Sequence, residues 1–210
     1  MKWSELLSML GREPVFAAAL LQAGDVSRRE LSIQLSRWVR SGRLVQLRRG
    51  VYAIAKPYRK VEPHPFLVAN ALRKNSYVSL QSALAFHGLI PEHVPACTSV
   101  TTGRSEKLET ALGTFIYMRA KRDHLFGFRQ MEVAANQFAF VANPEKALLD
   151  LVYVTKGAQA TSYLRELRLQ HTNEISGETL KELAARMNKP KLLKAARALC
   201  RLIEEERGSE

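Results

Sequence analysis

The feature that most constrains the fold is an abrupt change of hydrophobic period near Gly42. Before this glycine, apolar residues recur at helical spacing and form one stripe. After it, two strand-like runs, 44–47 and 51–54, flank a short loop at 48–50 that ends in glycine. A helix followed directly by a β-hairpin predicts a winged helix, with the hairpin as its wing. The apolar stripe consists of Leu31, Leu35, Trp38 and Val39.

Two shorter helical patterns come before this helix. Residues 3–10 have apolar side chains at helical spacing, and Pro14 opens a second apolar segment, 15–23, that we predict to be helical. The tight turn 24–26 then leads to Ser27-Arg28-Arg29-Glu30, which has the form of a capping box at the start of the next helix. Two short helices joined by a glycine-containing turn predict a helix-turn-helix.

The charge of the chain is concentrated in this same region. Residues 26–60 contain ten basic residues and one acidic residue, so they carry +9 of the formal net charge of +12. Such an excess indicates a polyanionic partner, either nucleic acid or a membrane surface, and its position on a helix-turn-helix favours nucleic acid. No apolar run reaches the roughly 18–20 residues that span a bilayer, and the first residues lack the pattern of a secretion signal. We therefore expect a cytoplasmic protein that does not associate with membranes.

The face of the third helix opposite its apolar stripe carries the candidate DNA contacts. Its first turns would enter the major groove of double-stranded DNA, where arginine pairs with guanine and a small apolar side chain meets a thymine methyl. The predicted base-reading residues are Arg28, Arg29, Ser32 and Ile33. The predicted phosphate or flanking contacts are Ser36, Arg37, Arg40 and Arg43 on or after the helix, Arg48 and Arg49 on the wing, and Lys56, Arg59 and Lys60 beyond it.

The rest of the chain predicts a second unit. Three prolines in 56–65 indicate a stiff linker, so we expect a winged helix-turn-helix domain at 1–60 and a second domain at 61–210. The second domain is predicted to be mixed α+β, with a small sheet and C-terminal helices, which makes the whole chain α+β. Predicted strands are 98–102, 114–118, 130–134 and 138–142; predicted helices are 66–73, 80–87, one that begins at Pro144, 159–169, 176–187 and 191–207.

Catalysis has little support in the sequence. No phosphate-binding glycine loop, zinc-protease motif or serine-nucleophile motif occurs, and the spacing of Cys97 and Cys200 does not suit a zinc site. We expect both cysteines to lie in the core, His87 to sit at a helix end, and Asp150 to form a buried salt bridge. The prediction is a protein that is not an enzyme, with no cofactor and no metal site.

Several motifs are similar to those of the abortive-infection AbiEi antitoxins. The N-terminal part of the resemblance includes Leu35-Ser36-Arg37-Trp38-Val39-Arg40 and Arg49-Gly50-Val51-Tyr52, and two later blocks, 78–89 and 143–150, follow in the order that the family has. The resemblance spans roughly residues 14–155. It implies a type IV toxin–antitoxin antitoxin that represses its own operon through inverted repeats. It also implies that the C-terminal domain counteracts a nucleotidyltransferase toxin without a stable complex, in phage defence.

Two alternatives stay open at this point. The chain could be a protein-docking or toxin-neutralising module in which DNA binding is accessory. A nucleotidyltransferase-like enzyme would instead need a Gly-Ser pair followed by two aspartates. The sequence does not set the oligomeric state, but a palindromic operator would require two copies, which associate in solution or on the DNA.

Overall fold

The computed structural model describes residues 1–22 and 27–207, with side chains up to residue 205. The predicted turn 24–26 and the end of the predicted helix 15–23 lie outside these residues. The helices are α1 (Trp3–Leu10), α2 (Arg28–Arg40), α3 (Pro65–Leu72), α4 (Leu80–Phe86), α5 (Pro144–Val154), α6 (Thr161–Glu166), α7 (Gly177–Met187) and α8 (Pro190–Arg207). The strands are β1 (Val15–Ala17), β2 (Leu44–Arg48), β3 (Val51–Ile54), β4 (Ser76–Val78), β5 (Cys97–Thr101), β6 (Glu106–Thr110), β7 (Gly113–Arg119), β8 (Phe128–Ala134) and β9 (Gln137–Ala142).

A three-stranded antiparallel sheet in the order β1-β3-β2 forms the centre of the N-terminal part. Both faces of this sheet are buried. Phe16 pairs with Tyr52 in register and packs with the apolar residues of α1 and α2. Val15 pairs with Ala53, and both belong to the large core that the rest of the chain forms. The wing is therefore sandwiched between two apolar cores and is not a free hairpin.

The predicted second helix is wrong, because residues 15–17 form strand β1 and residues 18–22 form a short 3₁₀ helix. Valine and phenylalanine at the start of this segment suit a pleated, half-buried surface. When they pair with β3, Val15 is buried on one face of the sheet and Phe16 on the other. The stabilisation from this burial outweighs the helical preference of the segment. The carbonyl of Pro14 extends the ladder by accepting the Ile54 N–H at 3.0 Å.

A six-stranded mixed sheet in the order β6-β7-β5-β4-β9-β8 organises the remainder of the chain. The β4–β9 and β5–β7 pairs are parallel and the other pairs are antiparallel. The four predicted strands are confirmed as β5, β7, β8 and β9. Two strands were not predicted from the sequence: β4, which has only three residues, and β6, in which three of the five residues are charged and every side chain is at least partly exposed.

The six helices predicted after residue 60 are confirmed as α3 to α8, with ends that differ by at most three residues. The predicted α+β fold class is also confirmed: a winged-helix-like N-terminal region precedes a mixed sheet and C-terminal helices. Cys97 and Cys200 are buried, as expected. His87 is the C-terminal cap of α4, and its Nε2 lies 2.8 Å from the carbonyl oxygen of Ala142 on β9.

The predicted salt bridge of Asp150 is confirmed, and it is fully buried. Lys146 and Asp150 lie one turn apart on α5, and both side chains are 0% exposed. One carboxylate oxygen of Asp150 accepts hydrogen bonds from the hydroxyls of Tyr77 and Ser79, each at 2.8 Å. Burial is the main cause that lowers the pKa of Lys146, and the carboxylate beside it acts in the opposite direction. The backbone of Gly127, which has a φ of +71°, lies against the aliphatic part of the Lys146 side chain. A Cβ added at Gly127 would lie 3.0 Å from Cγ of Lys146.

The proline-containing segment 56–65 is tied to the large sheet through Gln137. The Gln137 side chain is buried, accepts the backbone N–H of His64 at 2.7 Å and donates to the carbonyl of Glu62 at 2.9 Å. The His64 ring in turn caps α3, because its Nδ1 accepts the N–H of Phe66 at 3.2 Å. The segment is thus held at its C-terminal end by a residue of β9.

Candidate nucleic-acid interface

Helix α2 presents one apolar face to the protein and one polar face to solvent. Leu31, Leu35 and Trp38 are 2–3% exposed and pack in the N-terminal core, as the stripe predicted. The opposite face is exposed, and Ile33 on it remains 45% exposed. A large apolar side chain that stays exposed on a basic face is suited to contact with a partner surface such as a base edge. The exposed residues of α2 that were predicted as DNA contacts are Arg28, Arg29, Ser32, Ile33, Ser36, Arg37 and Arg40.

The four arginines of this face have no ion-pair partner among the described carboxylates. None of Arg28, Arg29, Arg37 and Arg40 forms an ion pair with a carboxylate whose side chain the structure describes. The two serines are linked to each other, since the Ser36 hydroxyl donates to the carbonyl of Ser32 at 2.8 Å. The face therefore offers four guanidinium groups to a polyanion.

The C-terminal end of α2 was predicted correctly from the sequence, but the cap at its N-terminal end was not. Ser27 is the N-cap residue, but its side chain makes no capping hydrogen bond, so the predicted capping box is wrong. At the other end, Gly42 has a φ of +67°, and the N–H of Arg43 bonds back to the carbonyl of Trp38 at 2.9 Å. This left-handed residue ends the helix where glycine was predicted to end it.

At the wing tip the two neighbouring arginines point to different environments. Arg49 is exposed and has no ion pair with a described carboxylate. Arg48, which was also predicted to be a DNA contact, has partners within the protein: its Nη1 lies 3.2 Å from the carbonyl of Leu72 and 3.4 Å from a carboxylate oxygen of Glu106. The same oxygen of Glu106 also binds Arg73. Arg48 thus anchors the wing to the second part of the chain, and its guanidinium is less free for DNA than that of Arg49.

Two further predicted contacts are also held by the protein. Arg59 has a side chain only 6% exposed, and its Nη2 pairs with Glu62 at 2.5 Å. The guanidinium of Arg43 lies over the ring of Trp3, 5.7 Å from its centre, and Arg43 is half-buried. Both residues stabilise the folded chain, so neither offers a fully free cation to DNA.

Lys56 and Lys60 remain exposed, as predicted. The segment that carries them passes the C-terminal end of α2, because the N–H of Ala55 bonds to the carbonyl of Arg43 at 3.0 Å. The ring of Tyr58 packs against Trp3, which packs against Trp38 of α2, with ring centres 5.5 and 5.2 Å apart. Residues 56–60, which we call the basic linker, therefore lie close to the C-terminal end of α2.

The partners of Arg43, Arg48 and Arg59 within the protein were not predicted from the sequence. Trp3 and Glu106 lie far from their partners in the chain, and no local pattern signals these pairs. Glu62 follows Arg59 by three residues, so a search for closely spaced opposite charges could have found that pair.

The described residues contain no cluster of three or more His, Cys, Asp or Glu side chains arranged to hold a metal ion. No helix in the same part of the chain is both long and apolar enough to cross a membrane.

Comparison with known proteins gives a structural match and a family match. No curated protein matches the chain. The crystal structure of the RV2827C protein from Mycobacterium tuberculosis superposes with a TM-score of 0.52 and 17% sequence identity, over 96% of this chain and 80% of that chain. At this identity the likeness concerns the fold. Residues 4–55, which contain all of α1 except its first residue, α2 and the whole three-stranded sheet, match the family model described as "Transcriptional regulator, AbiEi antitoxin".

Proposed function

We propose that the chain is a sequence-specific DNA-binding repressor whose helix α2 enters the major groove of an operator with inverted repeats. The observation that carries this proposal is the exposed face of α2, with an exposed isoleucine and four arginines that form no ion pair with a described carboxylate, in a region that matches a transcriptional-regulator family. Arg28, Arg29, Ser32 and Ile33 read bases in this arrangement. Arg37, Arg40 and Arg49 bind phosphate, together with Lys56 and Lys60.

The division of the chain at residue 60 is part of the same proposal. Residues 1–60 bind DNA, and residues 61–210 carry the second activity. The packing of Val15 and Ala53 into the larger core supports a fixed orientation between the two parts. A repressor of this kind requires two copies on a palindromic site, which associate on the DNA.

The decisive experiment measures binding of full-length protein to the DNA upstream of its own gene by footprinting and fluorescence anisotropy. Arg29→Ala should weaken binding to the operator by about 1–3 kcal/mol, roughly ten- to hundredfold, because one bidentate base contact is lost. Arg129→Ala is the matched control, since Arg129 is an exposed arginine on β8. An unchanged footprint with Arg29→Ala would contradict the assignment of α2.

We further propose that this repressor is the antitoxin of a type IV toxin–antitoxin system and counteracts a nucleotidyltransferase toxin without forming a stable complex with it and without catalysis. The family match at 4–55 supports the antitoxin role. The test is co-expression with the nucleotidyltransferase of the neighbouring reading frame, if one is present. Full-length Arg29→Ala/Arg49→Ala protein should still neutralise the toxin while it no longer represses the promoter. Loss of both activities together would contradict a separate role for residues 61–210.

The alternative, a docking module with accessory DNA binding, has one observation in its favour. Phe138 and Phe140 on β9 are 47% and 45% exposed, and exposed aromatic residues are enriched where proteins bind one another. Stable co-purification of toxin and chain, lost in Phe138→Ser/Phe140→Ser, would favour this alternative over neutralisation without a complex.

A further inference from the structure

A second basic surface lies at the opposite end of the chain from α2, on helix α8. Lys194, Arg197 and Arg201 recur on successive turns of one exposed face of this helix, while Leu192 and Leu199 on the other face are fully buried. The three cations line a groove between α6 and α8 with a volume of about 530 Å³. We call this groove the α6–α8 basic groove; its other lining residues are Thr161, Pro190, Leu193 and Ala198.

The side chains that line the α6–α8 basic groove carry only positive charge, and Glu205, four residues after Arg201, pairs with Arg165 of α6 at 3.2 Å. No carboxylate lines the α6–α8 basic groove, and none of its three cations forms an ion pair with a carboxylate whose side chain the structure describes. Three glutamates, Glu178, Glu182 and Glu204, line a different groove between α7 and α8. The positive potential of the basic groove is therefore not cancelled by acidic residues at the groove itself.

The spacing of the cations is unfavourable for the helix alone. Arg197 and Arg201 are four residues apart, where like charges destabilise a helix by about 0.2–0.5 kcal/mol, and Lys194 adds a third positive charge one turn earlier. Acidic residues at such spacing, Glu204 and Glu205, occur only after Arg201, so the repulsion among the three cations is not offset within their own row. A polyanion in the groove would turn this repulsion into attraction.

The shape and lining of the groove indicate which polyanion. From residue 194 to residue 201 the helix rises about 10 Å, so the cations form a line along the groove and not a single pocket for one anion. The lining residues include no aromatic ring on which a base could stack. Cations in a line without a stacking platform suit sequence-independent contact with phosphates.

We propose that the α6–α8 basic groove binds the phosphodiester backbone of a nucleic acid, independently of the operator contacts of α2. The groove has three cations for phosphates, and its apolar floor of Leu193 and Ala198 accepts the sugar edge of the strand. DNA and RNA share this backbone chemistry, and the experiment distinguishes them.

The test uses full-length protein with Arg29→Ala/Arg49→Ala, so that one proposed base contact on α2 and the proposed phosphate contact of the wing are absent from every sample. Binding to non-operator duplex DNA, to single-stranded RNA and to a hairpin RNA is measured by fluorescence anisotropy over a series of salt concentrations. Lys194→Ala/Arg197→Ala/Arg201→Ala should lower affinity for at least one probe by tenfold or more. For duplex DNA, the slope of log K against log salt should become shallower by about 2–3, because about 0.9 is lost per phosphate contact.

The matched control is Lys121→Ala/Arg122→Ala/Arg129→Ala, which removes the same charge from three exposed residues outside the groove. Equal losses in the two triple variants would show an effect of net charge and would overturn the proposal, as would unchanged binding in the groove variant. All substituted side chains are exposed, so thermal unfolding should confirm that both variants fold. Footprinting of the wild-type protein on the operator tests the proposed repressor function in a separate experiment.

Discussion

Arg48 on the wing and Glu106 on β6 are joined by an ion pair between two parts of the chain that lie 58 residues apart, with 3.4 Å between Nη1 and Oε1. Glu106 also binds Arg73, and Arg48 also donates to the carbonyl of Leu72. The wing is therefore fixed against the second part of the chain at its tip, next to Arg49, which is left to solvent.

The two wing arginines should separate stability from DNA binding. Arg48→Ala removes partly buried, charge-assisted hydrogen bonds, so we expect the free energy of unfolding to fall by about 1–2 kcal/mol. Operator affinity of the folded protein should change little. Arg49→Ala should have the reverse effect, with unchanged stability and weaker, less salt-dependent binding.

Urea denaturation and anisotropy titrations on the two variants check this prediction. Glu106→Gln tests the partner side, since it removes the carboxylate charge that Arg48 and Arg73 share and should also lower the free energy of unfolding. If Arg48→Ala lost more operator affinity than Arg49→Ala without loss of stability, the anchoring role of Arg48 would be wrong.

The buried pair of Lys146 and Asp150 should behave as a unit. Lys146→Met leaves the Asp150 carboxylate buried, with only the hydroxyls of Tyr77 and Ser79 as donors. We expect a loss of about 3–5 kcal/mol, the range found when one partner of a buried ion pair is removed. Lys146→Met/Asp150→Leu should recover at least half of that loss, because no unpaired charge remains. Denaturation curves of the single and double variants measure the coupling, and additive losses would contradict it.

The sequence predicted best the parts of the fold that local pattern determines. The stripe of Leu31, Leu35 and Trp38 set the orientation of α2, and Gly42 set its end, so the exposed face was predictable. Residues on that face are not constrained by packing. Their exposure follows from helical geometry alone.

Contacts between distant residues were not predictable in the same way. Strand β1 exists because it pairs with β3, which lies more than thirty residues later. The inward position of Arg48 depends on Glu106, and a basic residue at a hairpin tip looks the same in sequence whether it faces solvent or a carboxylate. Local propensity could not distinguish Arg48 from Arg49, since tertiary partners decide between them.

Gln137 should control the rigidity of the basic linker. Its buried side chain bonds to the backbone of both His64 and Glu62, so Gln137→Ala leaves one donor and one acceptor unsatisfied. We expect a loss of about 1–3 kcal/mol and faster trypsin cleavage after Arg59 and Lys60. Gln130→Ala, on an exposed position of β8, is the control and should leave the cleavage rate unchanged. Equal cleavage rates in the two variants would show that the linker is held by other contacts.

The last prediction concerns acid stability and His64. Burial lowers the pKa of His64 below its ordinary value of 6.5, and its unprotonated Nδ1 is the acceptor that caps α3. Below pH 6.5 the unfolded chain takes up a proton that the folded chain resists, so stability is complete above this pH and falls as pH decreases toward the folded pKa. Burial, with Lys146 as a further cause, lowers the pKa of His124 in the same direction.

His64→Asn keeps a capping acceptor but removes the titrating group, so unfolding free energy should fall less between pH 7 and pH 5 than in the wild type. Thermal or urea unfolding at intervals of pH measures the slope. Ser176→Asn exchanges one non-titrating cap for another on α7 and should give a curve parallel to that of the wild type. If His64→Asn were also parallel to the wild type, the cap of α3 would not be the acid-sensitive contact.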